Sequence, residues 1–222
     1  MQNQLNSNQT NQSIKNPDLE KQNDFIAIIK YNAGNVQSVQ YALQRLGVQS
    51  VVTDDEAVIR SAAKVIFPGV GHASAAMNYL KERSLDKLIV SLQQPVLGIC
   101  LGLQLMCKYS EEGDTDCLGI FNEAVKLFVP TTQTNGLKVP QIGWNNIYDY
   151  KSCLFTGLAA NAFVYTVHSY YAALGNETIA TTNYILPYSA ALQKDNFYAV
   201  QFHPEKSGLI GETILKNFIN IR

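Results

Sequence analysis

The segment Val96-Leu97-Gly98-Ile99-Cys100-Leu101-Gly102-Leu103-Gln104 decides how the rest of the chain is read. Its first residues have the apolar, branched character of a buried strand and Leu101 onward has helical propensity, so strand passes into helix almost without a loop. Cys100 stands at that junction, at the centre of a G-x-C-x-G pattern. A side chain on such a turn is pushed out beyond the sheet end. The glycines two residues to either side remove the Cβ atoms that would block close packing of strand and helix. The positive end of the helix dipole favours thiolate over thiol at this position. These properties suit a nucleophile that attacks carbonyl carbon. The same letters also fit a buried structural cysteine in a glycine-bounded turn, so the reading needs partners for Cys100.

Outward from this junction, short β-branched runs alternate with amphipathic ones. Residues 25–30, 48–53, 64–67 and 96–99 read as strands, and 36–46, 73–80, 85–92 and 101–109 as helices. Val36, Val39, Ala42, Leu43 and Leu46 fall near one face at helical spacing, with Gly47 as the stop. Beyond about Leu118 the strands come closer together, at 125–129, 141–148, 163–167, 178–182, 189–193 and 198–202, before a closing helix over 208–221. The expectation is an α/β fold, a three-layer open sheet that is largely parallel. Residues 1–24, dominated by Asn and Gln, offer too little apolar surface to offset ordering entropy and read as a flexible tail. The folded domain is expected over 25–222.

Composition narrows the function classes. The 222 residues carry 17 basic and 18 acidic side chains, a net charge of -1, and no Lys/Arg run. Neither nucleic acid nor an anionic membrane surface finds a basic patch to grip. No apolar stretch approaches the roughly 20 residues of a membrane span, and no secretory signal pattern opens the chain. A cytoplasmic protein is expected. The four cysteines form no C-x-x-C pair and the three histidines have no ligand spacing, so no metal site is expected.

A cysteine nucleophile needs a base and an orienter. His203 follows the strand over 198–202, Pro204 restricts it to extended geometry, and Glu205 two residues on can orient and charge-stabilise the imidazole. His168 is the rival base but has no carboxylate nearby in sequence, and reads as a pocket-wall or core histidine. His72 reads as a loop residue. Acyl transfer also needs donors for an oxyanion. Leu101 can offer its backbone amide, and Pro68-Gly69-Val70-Gly71, after the strand over 64–67, supplies a neighbouring loop with Val70 as second donor. As a nucleotide fingerprint that loop lacks the third glycine, and the chain holds no P-loop pattern.

Taken together, Pro68-Gly69-Val70-Gly71, Gly98-Ile99-Cys100-Leu101-Gly102-Leu103-Gln104 and Gln201-Phe202-His203-Pro204-Glu205 resemble the triad-type class I glutamine amidotransferases. Tyr31-Asn32-Ala33-Gly34-Asn35-Val36 with Ser38-Val39, Gly143-Trp144-Asn145 and Val167-His168-Ser169-Tyr170 narrow the resemblance to the glutaminase subunits of imidazole glycerol phosphate synthase, in histidine biosynthesis. The resemblance covers residues 25–222 and implies the flavodoxin-like amidotransferase fold. It implies hydrolysis of glutamine by Cys100, His203 and Glu205, with no cofactor. The ammonia passes to a (β/α)8-barrel cyclase subunit, which combines it with a phosphoribulosyl formimino carboxamide nucleotide. By matching position, Gln104 binds the substrate together with backbone around Gly71, Ser169 and Tyr170. Asn35, Trp144, Asn145, Tyr165 and Lys206 match positions facing the partner, although a lone Trp144 would otherwise read as core. The resemblance further implies that the Val70 amide is aimed only when partner and nucleotide are bound. Asn32 replaces a glycine usual in the family; Asn tolerates left-handed backbone, so the turn is expected to survive.

Two other readings share these residues. One is a glutaminase serving pyridoxal phosphate, anthranilate or guanylate synthesis; the other is a non-catalytic module in which Cys100 is an oxidisable thiol. Pro68-Gly69-Val70-Gly71-His72 favours the histidine route over the first, and the His203/Glu205 pair argues against the second.

Overall fold

A computed structural model describes residues 24–31, 34–134 and 136–222. The Asn/Gln-rich segment, apart from Asp24, and the turn at Asn32 lie outside the described residues. The amino-terminal part alternates as its sequence does: β1 (Ile26–Ile29), α1 (Val36–Arg45), β2 (Ser50–Thr53), α2 (Glu56–Ser61), β3 (Lys64–Gly69), α3 (Ala73–Glu82), α4 (Leu85–Val90), β4 (Val96–Cys100) and α5 (Leu101–Met106). Then come β5 (Tyr109–Ser110), β6 (Thr115–Asp116), β7 (Ala124–Leu127), β8 (Gln141–Ile147), β9 (Ala162–His168) and β10 (Tyr170–Ala172). The chain closes with β11 (Thr178–Asn183), β12 (Pro187–Lys194), β13 (Phe197–Val200) and α6 (Gly208–Ile219).

The main sheet has seven strands in the order β11-β12-β13-β4-β3-β1-β2. Pairings from β2 to β13 are parallel, and only β12 and β11 run antiparallel to their neighbours. Period-2 alternation explains why both faces are covered. Ala27, Ile29, Val65 and Phe67 point into one core with Ile59, Met77 and Leu80, while Ile26, Ile28 and Ile66 point into the other with Val39, Leu43, Ile214 and Phe218. Helices α2 to α5 therefore cover one face and α1 and α6 the other. This is the expected three-layer, largely parallel architecture. Two smaller sheets, β10-β7-β5-β6 and the antiparallel ribbon β8-β9, sit beside it. No helix among the described residues is long and apolar enough to cross a membrane.

Three local features depart from the sequence expectation. The helix expected over 101–109 stops at Met106, because Tyr109 and Ser110 pair with Asp116 and Thr115 across a turn carrying Gly113 and Asp114 at positive φ. Helix α2 was not anticipated, although Asp55 caps it by accepting from the Val58 amide at 3.0 Å. The strand expected over 198–202 ends at Val200, which frees Gln201 to His203 to turn toward the site.

Candidate active site

Parallel strands end on the same side of a sheet, and that edge is where open α/β folds build sites. Here register aligns Gly69 with Cys100 and Val200 with Ile99, so the ends of β3, β4 and β13 meet at one rim. Val70, Cys100 and His203 each stand at or just beyond one of these strand ends, although Val70 and His203 lie more than half the chain apart in sequence. Cys100 sits in a sharp turn at φ 54°, ψ -106°, a region that ordinary side chains occupy at a cost of roughly 1–3 kcal/mol. The flanking glycines are required sterically. A Cβ on Gly102 would drive into the carbonyl of Phe67, and one on Gly98 would meet the Met106 sulfur and the backbone of α5.

His203 and Glu205 form the expected pair, with Nδ1 2.8 Å from Oε1 and both side chains withdrawn from solvent. The route differs from the extended one expected. His203 itself is extended, but Pro204–Lys206 form a 3-10 turn, and that turn folds Glu205 back under the imidazole. Two backbone anchors fix the ring: the His203 amide donates to the Tyr165 carbonyl at 2.9 Å, and Ser207 Oγ donates to the His203 carbonyl at 2.7 Å. Burial disfavours the imidazolium, but Cys100 and then Glu205 outweigh it and hold His203 up at about 10. Nε2 has no hydrogen-bond partner of normal geometry, although the Cys100 sulfur is the neighbour that most supports its protonation. A proton on that nitrogen is thus free to be given to a leaving group.

His168, the rival base, is otherwise employed. Burial pushes it down to about 4, and its nitrogens are engaged by the Tyr170 carbonyl at 2.7 Å and the Tyr188 hydroxyl at 3.2 Å. It lines the wall of the cavity. His72 is exposed on the loop, as expected, with Nδ1 2.9 Å from Ser74 Oγ.

A cavity of about 280 Å³ opens beside Cys100, and every residue expected to bind substrate or oxyanion lines it: Val70, Gly71, Leu101, Gln104, Ser169 and Tyr170. A larger hollow of about 660 Å³ lies between α1 and β2, but neither the nucleophile nor the base reaches it. The cavity also contains Glu112, which sequence reasoning missed. Glu112 arrives through the short β5-β6 hairpin, and its Oε2 accepts from the Ala73 amide at the start of α3 at 2.7 Å. Among the described residues it is the only carboxylate lining this cavity. Nothing in the letters Ser110-Glu111-Glu112-Gly113 separates this glutamate from its exposed neighbours; only the hairpin does.

The five residues expected to face a partner divide into two groups. Trp144 is 57% exposed on the β8-β9 ribbon and meets Tyr165 edge-on, with ring centroids 6.0 Å apart. Ile142 and Phe163, on the same ribbon, are 64% and 58% exposed, and Lys206 is exposed at the end of the 3-10 turn. Asn35 and Asn145 instead spend their amides within the chain. Asn35 Nδ2 donates to Oε1 of Glu205 and lies 3.4 Å from His203 Nδ1, while Asn145 Nδ2 donates to Thr182 Oγ1 and the Asn183 carbonyl.

The family model described as glutamine amidotransferase class-I matches residues 27–221. The chain belongs to the class I glutamine amidotransferases. Within that family it is 59% identical, over 88% of its length and 99% of the relative's, to the imidazole glycerol phosphate synthase subunit HisH of Bacteroides fragilis strain YCH46. It is 47% identical to the subunit of the same name from Haemophilus influenzae Rd, over 87% of this chain and 96% of that one. Among solved structures, the fold is similar to PurLQS from Thermotoga maritima, at TM-score 0.65 and 14% identity over 89% of this chain and 98% of that one. A glutamine amidotransferase from the same organism matches at TM-score 0.58 and 15% identity, over 87% and 81%.

Proposed function

We propose that this chain is the glutaminase subunit of an imidazole glycerol phosphate synthase and that Cys100, His203 and Glu205 carry out the hydrolysis. Glutamine enters the cavity with its α-ammonium toward Glu112 and Gln104 and its α-carboxylate against the backbone of Gly71, Ser169 and Tyr170. The Cys100 sulfur attacks the side-chain amide carbon, and the amides of Leu101 and Val70 receive the developing oxyanion. His203 Nε2 protonates the amide nitrogen, which leaves as ammonia, and a thioester remains on Cys100. Water then attacks that thioester while His203 takes its proton, so glutamate departs and the thiolate returns. Glu205 holds Nδ1 throughout.

We further propose a cytoplasmic heterodimer in which the ammonia passes to a (β/α)8-barrel cyclase seated on the β8-β9 ribbon. Residues 25–222 would form the amidotransferase domain. What supports the docking face is its exposed Ile142, Trp144 and Phe163, because contiguous apolar surface of this kind marks association sites. Strand β9 also gives the partner a physical route to the chemistry: Tyr165 holds the His203 backbone, and the Val167 carbonyl accepts from Cys100 Sγ at 3.9 Å.

The observation that carries the proposal is the interaction of Cys100, which lines a cavity of about 280 Å³, with a buried, carboxylate-held His203. The test is ammonia release from glutamine by the chain alone, with the barrel subunit, and with the barrel plus its nucleotide ligand. Low activity alone, large stimulation with both, and loss in Cys100→Ala are expected. Vigorous hydrolysis by the isolated chain would count against this assignment among amidotransferases, and unchanged turnover in Cys100→Ser would favour the redox module.

A further inference from the structure

Gln201 is a buried carboxamide that the hydrolytic scheme above leaves without a task. It is 1% exposed, it stands one residue beyond β13, and its backbone amide is fixed by the Ala190 carbonyl at 2.8 Å. Because Val200 pairs with Ile99, Gln201 falls level with Cys100 on the neighbouring strand. Its Nε2 donates to Cys100 Sγ at 3.8 Å and its Oε1 accepts from Gln104 Nε2 at 3.1 Å. Gln104 Nε2 gives its other proton to the Tyr170 carbonyl at 3.0 Å.

We propose that Gln201 is a positioning residue, locking the nucleophile and the substrate-holding amide of Gln104 into one register by donating to the first and accepting from the second. This rests on the glutaminase reading and deepens it. A buried carboxamide costs free energy unless both its ends are bonded, and an apolar side chain would fill the same space without that demand. The polarity of the chain of bonds is what an apolar side chain could not supply. With both Gln104 protons committed to protein acceptors, its oxygen, to which no described residue donates, is the atom offered to the cavity. That oxygen selects a donor, the ammonium of an amino acid, and rejects a second carboxylate at that point. The N–H aimed at sulfur favours the charged nucleophile over the neutral thiol. One side chain thereby couples where the substrate sits to how ready the sulfur is.

The test uses the chain assembled with its barrel partner and nucleotide, with Cys100→Ser as control. Gln201→Met removes both ends of the bridge. It is expected to lower kcat about tenfold or more, raise KM for glutamine, and move the acid limb of the kcat/KM profile to higher pH. Gln201→Glu keeps the oxygen that Gln104 donates to but not the N–H toward sulfur. It is expected to restore KM to within about threefold while kcat stays low and the acid limb stays displaced. The pH dependence of Cys100 alkylation by iodoacetamide, read on the same assemblies, should move with that limb. In the neutral Gln201→Met variant, a merely structural amide would alter thermal stability and leave the limb where it was. An unmoved limb and unmoved alkylation profile in Gln201→Glu would overturn the proposal, including where Gln201→Met fails to fold. Hydrolysis that survives in the Cys100→Ser control would instead overturn Cys100 as the nucleophile, and absence of ammonia release from the unsubstituted assembly would overturn the glutaminase reading itself.

Discussion

Replacing Glu205 with glutamine separates the charge of the triad carboxylate from its shape. In a comparable carboxylate-to-amide exchange in trypsin, the loss is about 10⁴-fold because the amide can turn its N–H₂ toward the histidine and impose the wrong tautomer. In this chain the outcome should differ, because Oε1 of Glu205 accepts from two donors at once, His203 Nδ1 and Asn35 Nδ2. An amide in the same place keeps its oxygen between those donors, since the reverse orientation would set N–H against N–H on both sides. The orientation of His203 then survives and only the charge is lost. Exchanging a charge-assisted hydrogen bond for a neutral one removes about 1–2 kcal/mol, or roughly a 5- to 30-fold drop in kcat/KM. Steady-state glutamine hydrolysis by the assembled enzyme measures this directly. Glu205→Gln combined with Asn35→Leu should fall much further, because the amide is then free to turn. A loss of about 10³-fold or more in the single variant would refute the reasoning, showing that Asn35 does not direct the group at position 205.

Other expectations follow from single contacts. Gly102→Ala should destabilise the chain by about 2–4 kcal/mol in urea unfolding, since its Cβ has nowhere to go but the Phe67 carbonyl; an unchanged midpoint would show that the elbow can relax. Trp144→Ala should leave the melting temperature nearly unaltered and weaken binding to the barrel subunit by about 30-fold or more in titration calorimetry, a value expected of a central aromatic anchor. Burial, and then the neighbouring Glu177, push the Glu123 carboxyl up to about 7. A carboxyl raised in the folded state contributes stability that is full below its unfolded value and lost as pH climbs through about 7. Glu123→Gln, which fixes the neutral form, should therefore raise the melting temperature by about 2–4 °C at pH 8 and give no gain at pH 4; an equal effect at both would disprove the raised titration of Glu123.

What the sequence by itself determined is local. The unbroken apolar runs Ile26 to Ile29 and Val65 to Phe67 announced strands covered on both faces, because two-sided burial demands apolar residues at every position. The glycines around Cys100 announced a junction too tight for Cβ atoms, and Pro204 fixed the entry of His203. Local motifs put forward Cys100, His203, Glu205, Leu101 and Val70 as candidates, because each stands at or just beyond a strand end whose chemistry is visible within a few letters. Gly71, Gln104, Ser169 and Tyr170 came only from the family resemblance. The exposure of Trp144 required more, since a lone tryptophan belongs by composition in a core, and only the resemblance pointed outward. Tertiary structure alone decided the contacts that cross the chain: Asn35 on Glu205, Gln201 between Cys100 and Gln104, and Glu112 at the cavity mouth. The reason is physical. Those pairs are set by which strands lie side by side and in what register, and by a two-residue hairpin strand at Tyr109 and Ser110 too short to leave a periodic signal.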